Sequence, residues 1–201
     1  MNRDQGWGPG STRGEAGEQK LGERERRLCR RILRLGDRRI RDRSGSFFVK
    51  GIRPTLRVLD GGYVVESLVQ SEILLQNPYA HQRIRLARSV GVPSIRLSPE
   101  QFRRVSATAR ASGIGAVARQ RWAPLELVDP GDGLCWIATR YLRSAGNLGT
   151  ILRTAEATGT TGLIVLGNEL DPFDRAVIRA SMGSLFGLKL SRTCVEAFSA
   201  W

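Results

Sequence analysis

The sequence predicts an α/β protein, and three observations carry that prediction. Short apolar or β-branched runs alternate with helical stretches, Gly and Pro punctuate the junctions between them, and a Pro- and Gly-rich break at 122–133 separates two such series. At 201 residues and 22.2 kDa, with 41% apolar and 25% charged residues, the chain can bury one good core or two small ones.

Residues 1–20 hold five Gly, one Pro and few large apolar side chains, and read as a disordered leader. Within 21–35, Leu21, Leu28, Ile32 and Leu35 recur at helical spacing among charges, which gives a basic amphipathic helix. A polar turn is expected at 43–46, then a buried strand at Phe47-Phe48-Val49, stopped by Gly51. Pro54 suits the first turn of a short helix that ends at Gly61-Gly62, and 63–69 is β-branched strand. Residues 79–90 read as helix and 93–97 as extended, and Ser98-Pro99-Glu100-Gln101 is a capping box that opens a helix over 99–105. A strand at 114–117 closes this half.

Beyond the break the alternation resumes with strand 134–139, loop 140–146, helix 147–158, strand 163–166 and helix 172–185. Such units build a parallel sheet covered on both faces, with ligands at the carboxyl ends of the strands. In helix 147–158, Leu148, Ile151, Leu152 and Ala155 form the sheet-facing stripe, which leaves Arg153 turned away from it. Trp136 is read as core and His81 as a surface residue.

Charge is the strongest compositional signal. Thirty-two Lys and Arg against nineteen Asp and Glu give +13, and thirteen of the cations, against three carboxylates, lie between residues 24 and 57. Nearly all are Arg, whose planar fork holds phosphate bidentately and stacks on an unpaired base, so a polyanion is the expected partner. Arg30, Arg31, Arg38, Arg39 and Arg53 are the candidate nucleic-acid contacts. A solvated basic helix serving only solubility is the plainer alternative. No apolar run approaches the roughly 18 residues a bilayer span needs. Cys29, Cys135 and Cys194 are widely spaced, and with the single His81 they form no zinc pattern, so a reduced, cytoplasmic, metal-free protein is expected.

The loop and helix start Ser144-Ala145-Gly146-Asn147-Leu148-Gly149, with Arg153 six residues beyond Asn147, has the makings of an anion site. Backbone N–H groups at a helix start attract phosphate, Gly146 and Gly149 would admit a ligand close to the backbone, and Asn147 would cap the helix. A capped helix with tight-turn glycines and an exposed arginine accounts for the same residues. G-x-G-x-x-G and G-K-[ST] are absent, which argues against a dinucleotide or Walker-type enzyme.

These stretches resemble the SpoU/TrmH branch of the SPOUT RNA methyltransferases. Asn147-Leu148-Gly149 through Arg153-Thr154-Ala155 and Gly159 is similar to the N-L-G-x-x-x-R-T-A-x-x-x-G motif, and 179–186 is similar to the R-A-S-M-G-S-x-F stretch. Phe48-Val49-Lys50-Gly51-Ile52-Arg53 and the stretch around Leu97–Phe102 resemble the family's RNA substrate-binding domain, with Lys50 where Glu is usual and Ala145 where Pro is common. The resemblance implies a ribosomal-protein-like α/β substrate-binding domain over 21–121, a linker at 122–133 and a trefoil-knot α/β domain over 134–201. It further implies ribose 2′-O-methyl transfer from S-adenosylmethionine to ribosomal or transfer RNA by a homodimer, with Asn147 and Arg153 as the catalytic residues. A guanidinium stays charged, so Arg153 is expected to orient the nucleotide and stabilise alkoxide character.

The family's later cofactor-binding segments would follow about residue 195. The resemblance therefore implies an incomplete knot, cofactor residues beyond Trp201, an unpartnered strand at 188–190 and an inactive 201-residue chain. A non-catalytic RNA-binding remnant is the alternative from another functional class.

Overall fold

Apolar continuity rather than alternation marks β1 (Ser46–Lys50), whose first four residues are buried because both faces of its sheet are covered. The structure is a computed structural model that describes residues 21–201, and the leader expected at 1–20 lies outside the described residues. β1 pairs antiparallel with β4 (Ile114–Arg119), β4 antiparallel with β2 (Val65–Gln70), and β2 parallel with β3 (Ser94–Arg96), giving the order β1-β4-β2-β3. This sheet is mixed, unlike the parallel sheet expected beyond the break. Parallel neighbours need a crossover, and β4 instead inserts between β1 and β2 in the opposite direction.

Strand alternation divides the core. Phe48, Val69 and Val117 face α1 (Glu23–Arg34) and α5 (Pro99–Ser106) through Cys29, Ile32, Phe102 and Val105. Phe47, Val49, Leu68 and Ala116 face the opposite side, toward α3 (Ile52–Asp60) and α4 (Pro78–Ser89). The Ser98/Gln101 capping box forms as expected. The turn expected at 43–46 narrows to Gly45, in the left-handed region, because Arg43 and Ser44 end a helix the sequence did not show, α2 (Arg38–Ser44). Ile40 is the helix's single large apolar residue, so it carries no periodic signal, and Asp37 secures its start by accepting from the Arg39 N–H at 2.8 Å.

In the second half β5 (Trp136–Thr139), β6 (Gly162–Leu166) and β7 (Lys189–Thr193) form a parallel sheet in that order. The unpartnered strand expected at 188–190 is corrected: β7 pairs with β6 along its length, from Gly162↔Lys189 to Leu166↔Thr193, and Ala123 bridges its other edge at Ser191. Residues 172–185 are not one helix. α7 (Arg175–Ala180) stops where Met182 and Gly183 take φ of 53° and 94°, and a 3-10 turn, Ser184–Gly187, follows. The break fits the site of contact, since a Cβ on Gly183 would stand 3.2 Å from Pro54 Cα. α6 (Ala145–Ala157) covers the sheet between β5 and β6, and α8 (Val195–Ala200) follows β7. Trp136 is half-buried rather than fully core, its indole N–H donating to the Asp129 carbonyl at 3.1 Å. His81, expected at the surface, is half-buried, with Nε2 2.8 Å from the Leu75 carbonyl.

The two halves share one core. Phe47 of β1 packs between Phe173, at a ring separation of 4.7 Å, and Phe186, at 5.6 Å. Beside them Arg41, 2% exposed, donates through Nε at 2.9 Å and Nη2 at 2.5 Å to Asp171, 7% exposed. Its Nη1 bonds the carbonyls of Leu35 at 2.8 Å and Gly36 at 2.9 Å. Removing one partner of such a pair strands the other charge in the core. Arg41→Ala is therefore expected to cost about 3–5 kcal/mol in urea unfolding. A loss under about 1 kcal/mol, the range of exposed pairs, would show that the pair is not buried in solution.

Candidate functional site

The loop after β5 delivers the chain to α6 at the carboxyl edge of the parallel sheet, where such sheets bind ligands. Ser144, not Asn147, caps the helix: its Oγ accepts from the Asn147 N–H at 3.2 Å. Helix α6 starts two residues earlier than its apolar stripe suggests, so Asn147 sits inside the first turn with its side chain exposed. Gly149 is also reassigned. A Cβ there would run into the Ala180 side chain and lie 2.6 Å from the Ala180 carbonyl carbon, so this glycine lets α6 and α7 meet rather than admitting a ligand. Gly146 is open, with only Ser144 Oγ near, at 3.6 Å.

Arg153 is exposed on the same helix. Its Nη1 donates to the Ala180 carbonyl and its Nη2 to Thr150 Oγ1 at 3.2 Å, so the side chain is fixed across to α7 while part of its fork stays open. Asn147 and Arg153 are thus carried on one helix, though no direct bond joins them among the described residues. On the neighbouring turn Glu156 accepts from Arg57 of α3 at 2.5 Å and from Ser184 Oγ at 2.6 Å, which ties the helix to the first half. In the loop before α6, Arg140 lies 4.3 Å over the ring of Tyr141, a residue with φ of 58°. Such left-handed non-glycine positions concentrate at functional sites.

The five arginines proposed from charge density do not converge. Arg30 and Arg39 are exposed and form no salt bridge among the described residues. Arg31 is bound to Glu66 and to Ser46 Oγ, and Arg38 bonds Asp42 at 3.3 Å and the Glu169 carbonyl at 3.3 Å. Arg53 is exposed elsewhere, at the mouth of a cavity of about 410 Å³ between the two halves. Lys50, Arg110, Arg175 and Arg179 line the same cavity, and among the described residues no carboxylate does. Burial, then Arg175 and Arg179, lower the Lys50 pKa; its Nζ donates to the Ser106 and Ala107 carbonyls. Sequence reasoning missed this grouping because its members come from three separate segments. Only the i, i+4 spacing of Arg175 and Arg179 was visible in advance.

S-adenosylmethionine carries a sulfonium cation, and the charged side chains that line the large cavity among the described residues are all cationic, so that cavity does not fit it. A second cavity, of about 250 Å³, is lined by Arg38, Arg41 and Arg143 and by Glu169, Asp171 and Asp174, of which Asp171 and Asp174 are paired with Arg41. No group of three His, Cys, Asp or Glu capable of holding a metal occurs among the described residues.

A mixed α/β unit leading into a parallel-sheet unit with a Ser-capped helix at its carboxyl edge is the plan of a SPOUT methyltransferase carrying an N-terminal substrate-binding domain. Residues 136–200 match the SpoU rRNA Methylase family and residues 27–116 match the MRM3-like substrate binding domain. The chain thus carries a SpoU methylase domain behind an MRM3-like substrate-binding domain. It is 30% identical over 159 residues to a 23S rRNA (uridine(2479)-2′-O)-methyltransferase of Streptomyces viridochromogenes, covering 79% of this chain and 54% of that protein. A 23S rRNA (guanosine(2553)-2′-O)-methyltransferase of Bacillus subtilis is 26% identical, covering 70% of this chain and 56% of that one. The AdoMet-bound rRNA methyltransferase of Sinorhizobium meliloti superposes with a TM-score of 0.78 at 29% identity, over 87% of this chain and 64% of that chain. The chain thus spans about half the length of the curated relatives named here.

The two glycines give a direct check on this geometry. Gly149→Ala is expected to destabilise the protein by about 1–3 kcal/mol through overpacking against Ala180. Gly146→Ala should leave stability unchanged or raise it. Equal effects in thermal unfolding would contradict the close α6–α7 approach.

Proposed function

We propose that this chain forms the RNA-holding and ribose-facing part of an S-adenosylmethionine-dependent rRNA ribose 2′-O-methyltransferase. The observation that carries the reading is Arg153, fixed to α7 through Ala180 and to Thr150, on the same helix as exposed Asn147 at the carboxyl edge of a parallel sheet. A guanidinium held in this way presents its remaining N–H groups as fixed donors to a phosphate or to a ribose oxygen gaining negative charge. Methyl transfer to such an oxygen is chiefly a positioning problem, which a preset clamp addresses. Asn147 offers an amide to the same region. Ribosomal RNA is favoured over transfer RNA because the relatives from S. viridochromogenes and B. subtilis are named for 23S rRNA. Residues 21–121 serve in this proposal as the substrate-binding domain and 134–201 as the methyltransferase part, in a cytoplasmic homodimer.

The same reading assigns substrate attraction to exposed Arg30 and Arg39. RNA affinity should fall steeply with salt, and reversing both charges should flatten the slope by about 0.7 for each single-strand phosphate that is no longer neutralised. Salt-independent binding would contradict it.

Because the large cavity, whose charged lining is cationic, does not fit the cofactor, a non-catalytic RNA-binding role for these 201 residues is the second reading. The 201-residue polypeptide assayed alone is expected to bind RNA without incorporating methyl, and tritium transferred to RNA would overturn that expectation. In the protein purified from its native source, transfer to a ribose 2′-oxygen is expected, and Arg153→Ala should slow it by about 10²–10³-fold. An unchanged rate would remove Arg153 from the mechanism.

A further inference from the structure

The cavity between the two halves is shaped and charged for a ligand that the site around Arg153 does not itself accommodate. Its volume, about 410 Å³, lies within the roughly 300–1,000 Å³ of small-molecule sites and is too small for a duplex. Phe48 and Phe102 form an apolar floor, with Pro54 and Met182 at its sides. Around this floor Lys50, Arg53, Arg110, Arg175 and Arg179 supply positive charge, and no carboxylate among the described residues lines the cavity to offset it. Arg53, Arg110 and Arg179 form no salt bridge among the described residues, so their donors are available to an anion. Like charges gathered in a partly desolvated space repel one another, and a bound anion removes that cost.

Backbone conformation at the cavity points the same way. Met182, on its wall, and Ala107, next to its lining residue Ser106, are two of the three non-glycine residues with positive φ among the described residues. Strain of this kind persists where a side chain or loop must be held in place.

We infer that this cavity receives one unpaired nucleotide of the RNA substrate, its phosphate held by Arg53, Arg110 and Arg179 and its base laid against Pro54, Met182 and the apolar floor. A free phosphate would use the cations and leave the apolar lining idle. An unstacked base with its phosphate uses both, and this is how single-stranded RNA is read by proteins. The inference rests on the RNA reading above and adds a position to it. Arg153 bonds the carbonyl of Ala180, the residue after Arg179, so the ribose-facing arginine and the cavity wall are anchored in the same turn of α7. The nucleotide in the cavity is therefore a neighbour of the target rather than the target itself.

The test uses single-stranded RNA carrying 4-thiouridine, photo-cross-linked to the full chain and mapped by peptide mass, together with the affinity of the same RNA for Arg53→Glu and Arg110→Glu variants. Both side chains are exposed, and circular dichroism of each variant serves as the check that it is folded. Cross-links to peptides containing Phe102 or Met182, with about tenfold weaker binding in each variant, are expected. Normal binding by both variants, with cross-links confined to the Arg30 and Arg39 segment, would overturn the cavity assignment and leave the RNA reading intact. Absence of RNA binding by the unaltered chain would overturn the RNA reading itself.

Discussion

The structure depends on a junction at which Phe47 of the first sheet is clasped by Phe173 and Phe186 of the second half. Rings 4.7 and 5.6 Å apart, with Tyr63 edge-on to Phe186 and Trp122 edge-on to Phe173, form a continuous aromatic core across what the chain order presents as two units. Apolar area of this kind is the dominant favourable term in folding, and here neither half can bury its share alone. The Arg41–Asp171 pair sits beside it. Once desolvated, a buried charge pair contributes chiefly by penalising any arrangement in which the two halves separate or slide.

That fixed junction is what gives the functional groups their positions. α3 holds α6 through Arg57 and Glu156, Glu156 in turn receives Ser184, and Arg175 of α7 reaches back to the Ile32 carbonyl at 2.5 Å while lying over the Phe48 ring. Burial, then Arg41, lower the pKa of Arg175, while Asp174 opposes the shift. α7 is only six residues long, yet it is tied from three sides, so Arg153 finds the Ala180 carbonyl at a defined place. The cation-lined cavity lies on the same junction and exists only because the halves are joined. The groups proposed to meet substrate in one half and ribose in the other are thereby set in one frame.

Much of this was legible in the sequence, for reasons that also explain what was not. Capping chemistry and long apolar stripes are local, so the Ser98/Gln101 box and the helix carrying Leu148, Leu152 and Ala155 stand where expected. Strand direction is not local, and β4 running between β1 and β2 left no trace in composition. α2 was missed because Ile40 alone cannot show a period, while the residue that matters in it, Arg41, reads as one more surface cation. Gly149 was correctly singled out but for the wrong neighbour, since a close helix contact and a ligand approach leave the same mark in a sequence. Asn147 and Arg153 were proposed from a motif; the cavity needed the fold, because Lys50, Arg110 and Arg179 are far apart in the chain.

Interdomain interfaces are by default small and polar enough to permit relative motion, and the shared core found here predicts the opposite. Differential scanning calorimetry of the intact chain tests this most directly. A single transition whose calorimetric and van't Hoff enthalpies agree is the predicted result, because both sheets unfold with the aromatic junction. Two resolved transitions, or a van't Hoff enthalpy well below the calorimetric one, would mean that the halves melt separately and that the junction does not set the site.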